Sequence, residues 1–124
     1  MKTLPHLTMG VLLATLALVV ATKTAMAQDM VKVAPNNTKV LLENDRVRVL
    51  EVQQKPGEKM AMHSHPASLV YSLSGSKAKF TSPDGKTTES EVKAGAVNWR
   101  EAETHAIENV GTTDSHVLVI ELKK

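Results

Sequence analysis

The part of the sequence best suited to chemistry is a pair of histidines separated by one residue, His63-Ser64-His65. In a β-strand, residues i and i+2 project from the same face, so both imidazole rings would face one space. Neutral imidazole is a common ligand of transition metals. The spacing therefore predicts two ligands to one metal ion, with a third ligand supplied from elsewhere in the chain.

Three other histidines are candidates for that third ligand. His6 lies in a predicted export signal, and His116 opens the last predicted strand, where we expect it at the surface. His105 is the remaining candidate. We therefore predict that His63, His65 and His105 together bind one divalent transition-metal ion, by three neutral nitrogens.

Methionine sulfur is an alternative ligand, because Met60 and Met62 directly precede the histidine pair. Thioether sulfur suits Cu(I), so a copper site built on these residues is one interpretation. Strand alternation, however, turns even-numbered residues away from His63 and His65. Methionine also fills irregular gaps in protein cores, and we expect both methionines there.

The composition excludes several other kinds of site. The 124 residues include no cysteine, which rules out disulfides, thiolate zinc sites and cysteine nucleophiles. A formal net charge of +2 and only three aromatic residues argue against a nucleic-acid surface with stacking platforms. A chain of this length forms at most one small domain.

Residues 1–27 have the organisation of a secretory signal peptide. Lys2 precedes an uncharged apolar run at residues 9–21, and Ala25-Met26-Ala27 places small side chains at both cleavage-recognition positions. The apolar run is shorter than the ~20 residues that a stable membrane span needs. We expect cleavage after Ala27 and a periplasmic or secreted protein whose mature chain has no net formal charge.

The rest of the chain has the pattern of β-strands. Apolar residues alternate with polar ones in residues 47–52 and 77–81, and no long stretch has helical periodicity. Turn residues recur between these runs, most clearly Pro83-Asp84-Gly85, which predicts a hairpin. The apolar run 117–122 indicates an interior strand. We predict an all-β fold, a single antiparallel β-barrel or jelly roll over residues 40–124, preceded by an N-terminal arm at residues 28–39.

At these motifs the chain resembles the cupins, in particular small single-domain cupins. Gly57, five residues and then His63-Ser64-His65 match the start of the first cupin motif. The stretch from His105 to Asn109 matches the His-x3-Asn end of the second motif. The resemblance covers about residues 40–123 and implies that the metal is held inside the barrel by His63, His65 and His105.

The motifs also depart from the family pattern. Ser68 stands where cupins usually have a metal-binding glutamate, and the interval after His65 is one residue short. Arg100 and Ala102 occupy positions where proline and glycine are usual. The resemblance then implies a carboxylate position that is vacant or filled by water, open coordination positions, and Fe, Mn, Ni, Zn or Cu as the ion.

Three further residues have two interpretations each. Glu103 is two residues before His105 and, on an extended strand, would share its face as a stand-in carboxylate or general base. We expect instead a solvated loop residue. Tyr71 and Trp99 are able to line a pocket over the metal, but we expect both to pack in the core.

Two classes of function fit this sequence. One is a metalloenzyme, oxidative or isomerising, that acts on a small polar molecule bound to the metal. The other is a non-catalytic periplasmic module that holds a metal or small ligand. The partner is a small molecule in both cases, and since small cupins often dimerise through their sheets, the resemblance also implies a homodimer.

Overall fold

The computed structural model describes residues 28–124, and the predicted signal peptide at residues 1–27 lies outside them. Strands and one short helix make up this part of the chain. In chain order they are β1 (Gln28–Asp29), α1 (Met30–Val33), β2 (Thr38–Glu43), β3 (Val47–Gln54), β4 (Lys59–His65), β5 (Ser68–Ser72), β6 (Ser76–Thr81), β7 (Thr87–Val92), β8 (Val97–Arg100), β9 (Glu103–Asn109) and β10 (Ser115–Leu122).

The strands form two five-stranded sheets. One has the order β1-β4-β9-β6-β7, and the other has the order β2-β3-β10-β5-β8. Neighbouring strands are antiparallel except for β1 and β4. This arrangement confirms the predicted all-β jelly roll. Among residues 28–124, no helix is long and apolar enough to cross a membrane.

Local sequence signals account for several of these elements. Gly85 has a φ of 87°, which a side chain would oppose, and this permits the predicted hairpin between β6 and β7. Asp84 stabilises the same turn, because its carboxylate accepts a hydrogen bond from the backbone N–H of Lys86 at 3.1 Å. The apolar strand β10 lies between β3 and β5, as predicted for an interior strand.

The N-terminal segment, residues 28–34, is built into the barrel. Its strand β1 pairs with β4, placing Gln28 opposite His63. Helix α1 then turns Met30 and Ala34 into the hydrophobic core, where both are buried. The arm predicted at residues 28–39 therefore includes packed structure, and the predicted boundary at residue 40 falls inside β2.

The outer faces of the two sheets differ in polarity. Ion pairs cross the face of the sheet containing β6, for example Lys77 with Glu89 at 3.3 Å. The other sheet has a large apolar area on its outer face. By register and alternation, its rows consist of Leu42, Val49, Ile120, Leu69 and Trp99, and of Leu118, Tyr71 and Val97. We call these eight residues the apolar face.

The expectation that Tyr71 and Trp99 pack in the core is wrong. Tyr71 is 38% exposed and Trp99 is 51% exposed, and both lie on the apolar face. The core instead consists of small aliphatic and methionine side chains between the sheets: Met30, Ala34, Leu50, Val52, Met60 and Val119.

Candidate metal centre

The three predicted ligands meet inside the barrel. His63 and His65 lie on β4, and the strand register places His105 of β9 directly opposite His63. A nitrogen from each imidazole lies within 4.8 Å of the others. All three histidines are buried, and His63 is fully inaccessible. The structure thus brings together the set that the sequence singled out.

A β-bulge shapes this end of β4. The register with β9 shifts between Met60 and His63, so alternation does not hold across the interval. Met60 therefore points inward like His63 and lines the same cavity as His65 and His105. Our expectation that Met60 faces away from the histidines is wrong for this reason, although it does pack in the core as predicted.

Hydrogen bonds determine which ring nitrogen is unprotonated in His63 and in His65. His63 Nδ1 lies 2.7 Å from the carbonyl oxygen of Ala61, which can only accept, so Nδ1 carries the proton. His65 Nδ1 lies 2.9 Å from Oε2 of Glu121 and donates to it in the same way. Both rings therefore present Nε2 as an unprotonated ligand atom.

Among the histidines of residues 28–124, two buried ring nitrogens have no hydrogen-bond partner, Nε2 of His63 and Nδ1 of His105. Glu103 Oε1 lies 3.3 Å from His105 Nδ1, but the two atoms lack the alignment of a hydrogen bond. A buried polar atom left unpaired costs about 1–3 kcal/mol. Buried, unpartnered nitrogens in a cluster whose ligand atoms lie within 4.8 Å of one another fit a metal ion.

The surroundings of His63 and His105 favour the neutral form of both rings, which is the form that binds a metal ion. Burial, together with the nearby His65, lowers the pKa of His63 below its ordinary value. Burial, with His63, His65 and Arg100 nearby, lowers the pKa of His105 to about 3. At neutral pH both rings are uncharged, so neither has to release a proton when a metal binds.

Behind His65 lies a charged network that the sequence analysis did not find. Glu121 is 2% exposed, and its Oε1 accepts a hydrogen bond of 2.7 Å from Nε of Arg48. Arg48 also pairs with Asp29 at 2.5 Å. Burial alone would raise the pKa of Glu121, but hydrogen bonds from His65 and Arg48 outweigh it and lower that pKa. The one available sequence signal was a carboxylate interrupting the apolar run of β10.

Glu103 belongs to the site, and our expectation of a solvated loop residue is wrong. It lies on β9, opposite His65, and faces the cavity with His105. Its two carboxylate oxygens accept hydrogen bonds of 2.8 Å each from Arg100. The guanidinium of Arg100 in turn stacks over the ring of Phe80, 4.8 Å from its centroid.

His65 and His105 open onto a cavity of about 300 Å³ inside the barrel. One part of its wall is apolar, with Val52, Val70 and Val117 among its members. Ser68 lies in the wall and is 2% exposed, opposite Glu121 in the register of β5 and β10. Shape and lining are those of a small-molecule site at the lower end of the usual size range.

The fourth described histidine lies elsewhere. His116 is on the outward side of β10, where Nε2 lies 2.8 Å from Oε1 of Glu51 and the side chain is 33% exposed. It is outside the histidine cluster, as the sequence analysis expected.

The asparagine that ends the second motif has a structural part. Asn109 is buried, and its Nδ2 donates hydrogen bonds to the carbonyl oxygens of Gln54 at 3.0 Å and Thr113 at 2.9 Å. These bonds join the end of β9 to β3 and to the loop before β10. The residue therefore fixes the strand that carries His105.

Solved structures with the same architecture are available for comparison. A cupin domain from Bordetella pertussis Tohama I aligns with a TM-score of 0.65 and 26% identity, over 70% of this chain and 92% of that chain. An RmlC-like cupin family protein with a double-stranded β-helix fold from Methanocaldococcus jannaschii has a TM-score of 0.57 and 16% identity, over 69% and 78%. The polyketide cyclase RemF from Streptomyces resistomycificus has values of 0.53 and 23%, over 70% and 64%.

The sequence matches no protein-family model and no curated protein. Its structure carries the assignment: two facing sheets enclose the histidine cluster, and both sequence motifs lie on the strands that supply it, β4 and β9. The architecture and the structural relatives agree with the motif resemblance. The chain belongs to the cupin superfamily.

Proposed function

We propose that this cupin binds one divalent transition-metal ion through His63, His65 and His105 and admits a small polar molecule to it. The observation that carries the proposal is the pair of buried, unpartnered nitrogens in a cluster whose ligand atoms lie within 4.8 Å of one another. Without an ion, the fold would bear the cost of leaving both nitrogens unsatisfied.

The ligand chemistry favours a transition metal over magnesium or calcium. Three neutral nitrogens suit Fe, Mn, Ni, Zn or Cu, whereas hard cations prefer oxygen ligands. Ser68 contributes no charge at the family's glutamate position. Three protein ligands leave further coordination positions, at which a bound ion would polarise a small molecule or water.

The neighbouring residues hold the ligands and shape what enters. Hydrogen bonds from Nδ1 orient the rings of His63 and His65, and burial of His105 keeps it neutral. Arg100, paired with Glu103, supplies a polar part of the same cavity wall that includes the valines. A ligand with a polar, metal-coordinating group and a small apolar part fits this lining.

One observation favours a non-catalytic binding module over an enzyme. The two carboxylates beside the histidines are both engaged, Glu103 by Arg100 and Glu121 by His65 and Arg48. A general base needs an accepting atom within reach of the substrate proton. An enzyme that used Glu103 as its general base, as an isomerising reaction would, requires Arg100 to release Glu103 when the ligand binds.

Metal analysis followed by a turnover screen tests the proposal. Mature protein is stripped with chelator and titrated with Co2+, Zn2+ and Fe2+, and oxygen uptake is then measured on the iron form with small carboxylic and hydroxy acids. One ion per chain is expected. Failure to bind any of these ions would contradict the metal site. Turnover would select the enzyme, and tight binding without turnover would select the module.

We also propose export and dimerisation. Export rests on the signal pattern of residues 1–27 and implies a periplasmic or secreted protein whose first residue is Gln28. Dimerisation rests on the apolar face. Five of its side chains are 38–61% exposed, and at about 150–250 Å² for a large side chain the face offers roughly 500 Å² of apolar surface. That is a large share of the about 800 Å² per partner in a standard interface.

A second copy of the chain is the occupant that this face fits best. The first row is apolar across the whole sheet, and the second is apolar over β10, β5 and β8 and continues to Glu51 on β3, which pairs with His116. A two-fold axis would bring these apolar stretches against their like. The opposite sheet, covered by ion pairs, offers no such surface.

A further inference from the structure

A continuous series of hydrogen-bonded side chains connects the N-terminal segment to a predicted metal ligand. Nδ1 of His65 donates to Glu121 at 2.9 Å, and Glu121 accepts from Arg48 at 2.7 Å. Nη2 of Arg48, which also lies 2.6 Å from Oε1 of Glu121, donates to Asp29 at 2.5 Å. The four residues come from β4, β10, β3 and β1, so the series crosses both sheets.

The position of each side chain in the series depends on the side chain that follows it. Glu121 is buried, and a buried carboxylate is stable only when it is paired and hydrogen-bonded. Arg48 supplies that pair through a planar, rigid fork whose direction determines where Glu121 sits. Asp29 accepts a hydrogen bond from Nη2 of Arg48. The position of Asp29 is itself fixed, because its Oδ1 accepts a hydrogen bond of 2.9 Å from the backbone N–H of Val31.

Besides the backbone pairing of β1 with β4, the polar contact that links the N-terminal segment to the histidine cluster in the described residues runs through Asp29 and Arg48. Pairing of β1 with β4 and burial of Met30 anchor the segment beside the strand that carries His63 and His65. The carboxylate of Asp29 is thereby aimed at Arg48 rather than at solvent, although its side chain remains 32% exposed.

We propose that Asp29, Arg48 and Glu121 are positioning residues that set the tautomer and ring orientation of His65, which makes residues 28–34 part of the metal site. The inference rests on the proposed metal binding. A ligand histidine whose second nitrogen donates to a carboxylate presents the first nitrogen in one fixed direction. Here the carboxylate is fixed in turn by a residue outside both family motifs.

The competing interpretation is a salt bridge that only stabilises the barrel. Under that interpretation, weakening the series lowers the free energy of unfolding and leaves the affinity of the folded protein for metal unchanged. The distinction needs a metal-binding readout, a readout of the His65 tautomer, and a control pair of the same type. Glu51 and His116 provide the control, because they form a carboxylate–imidazole pair of 2.8 Å on the outer side of the same sheet.

The experiment compares wild type with Glu121→Gln, Asp29→Asn, Asp29→Glu and Glu51→Gln. Affinity for Co2+ is measured by titration below the unfolding temperature of each variant. We expect Glu121→Gln to weaken binding about 10–100-fold, as direct partners of metal-bound histidines do. Asp29→Asn should weaken it by less than about tenfold, since it acts through two residues. Asp29→Glu should restore binding in part, and Glu51→Gln should leave it unchanged.

Nitrogen-15 NMR of the metal-free protein at one pH supplies the second readout. Wild type should hold the His65 proton on Nδ1. In Glu121→Gln a second population with the proton on Nε2 is expected, because an amide both donates and accepts. Wild-type affinity and a single Nδ1–H tautomer in both Glu121→Gln and Asp29→Asn would overturn the inference, as would an equal loss in Glu51→Gln.

Failure of the proposed function would look different. If wild type binds no Co2+, the metal site is refuted, while the tautomer measurement still tests the series of contacts. If Glu121→Gln does not fold, Asp29→Asn decides the outcome, because that side chain is partly exposed and does not contact His65.

Discussion

Acidification of the metal-free protein is expected to lower its stability well before its carboxylates titrate. The perturbation acts on His105, which is 8% exposed and whose pKa falls from 6.5 to about 3 in the folded state. Between these values the unfolded chain binds a proton that the folded chain does not. Stability from this group is therefore fully present above pH 6.5 and is lost as pH falls toward about 3.

The size of the stability loss depends on the two pH values that are compared. At pH 5 the unfolded histidine is about 1.5 pH units below its pKa, and each unit is worth about 1.36 kcal/mol. The fall between pH 7 and pH 5 is then about 2 kcal/mol from His105. His63 adds to it in the same direction, because its pKa is also lowered by burial. Glu121 and Asp29 have lowered pKa values, so their contribution to the stability of the protein is lost only at more acid pH.

Urea unfolding of chelator-treated protein at pH 7 and pH 5 measures this effect. With a slope of about 1–2 kcal/mol per molar urea, the midpoint should fall by about 1–2 M. The matched variant is His105→Asn, which removes the titrating group and should reduce the pH dependence by about 2 kcal/mol. Equal pH dependence in wild type and His105→Asn would refute the reasoning, because burial would then not be keeping the ring neutral.

Four other outcomes are expected. Alanine at any of the three site histidines should abolish stoichiometric metal binding in an equilibrium titration, whereas His116→Ala should leave it intact; equal loss in His116→Ala would show that the wrong set was chosen. Ser68→Glu should raise metal affinity and lower azide binding at the metal in paired titrations, because it adds an anionic ligand; unchanged values for both would mean that the residue does not face the ion. Intact mass of the exported protein should begin at Gln28, and a full-length chain in the membrane fraction would contradict cleavage. Leu69→Glu on the apolar face should yield monomers by light scattering while Thr87→Glu on the opposite sheet should not; a wild-type monomer would refute the dimer.

The sequence alone predicted the fold class and the three histidines that the structure brings together. Strand spacing and the Asp-Gly turn predicted the jelly roll and the hairpin ending at Gly85, because these signals depend on local backbone preferences. The His-x-His spacing placed two rings on one face for the same reason, elimination of His6 and His116 left His105, and the family motif agreed with that choice. The strand, turn and His-x-His signals each lie in a few consecutive residues, so predicting them needed no knowledge of distant contacts.

Long-range contacts decided what the sequence could not. Alternation specifies which residues share a face but not which face is inside, and a bulge changes the count without a sequence mark. Met60 therefore turned inward, and Trp99, which was expected in the core, turned outward onto the apolar face. Glu121 meets Arg48 across 73 positions of sequence and His65 across 56. Whether a charge is buried, paired or free depends on which strands pack together, and only the tertiary structure sets that.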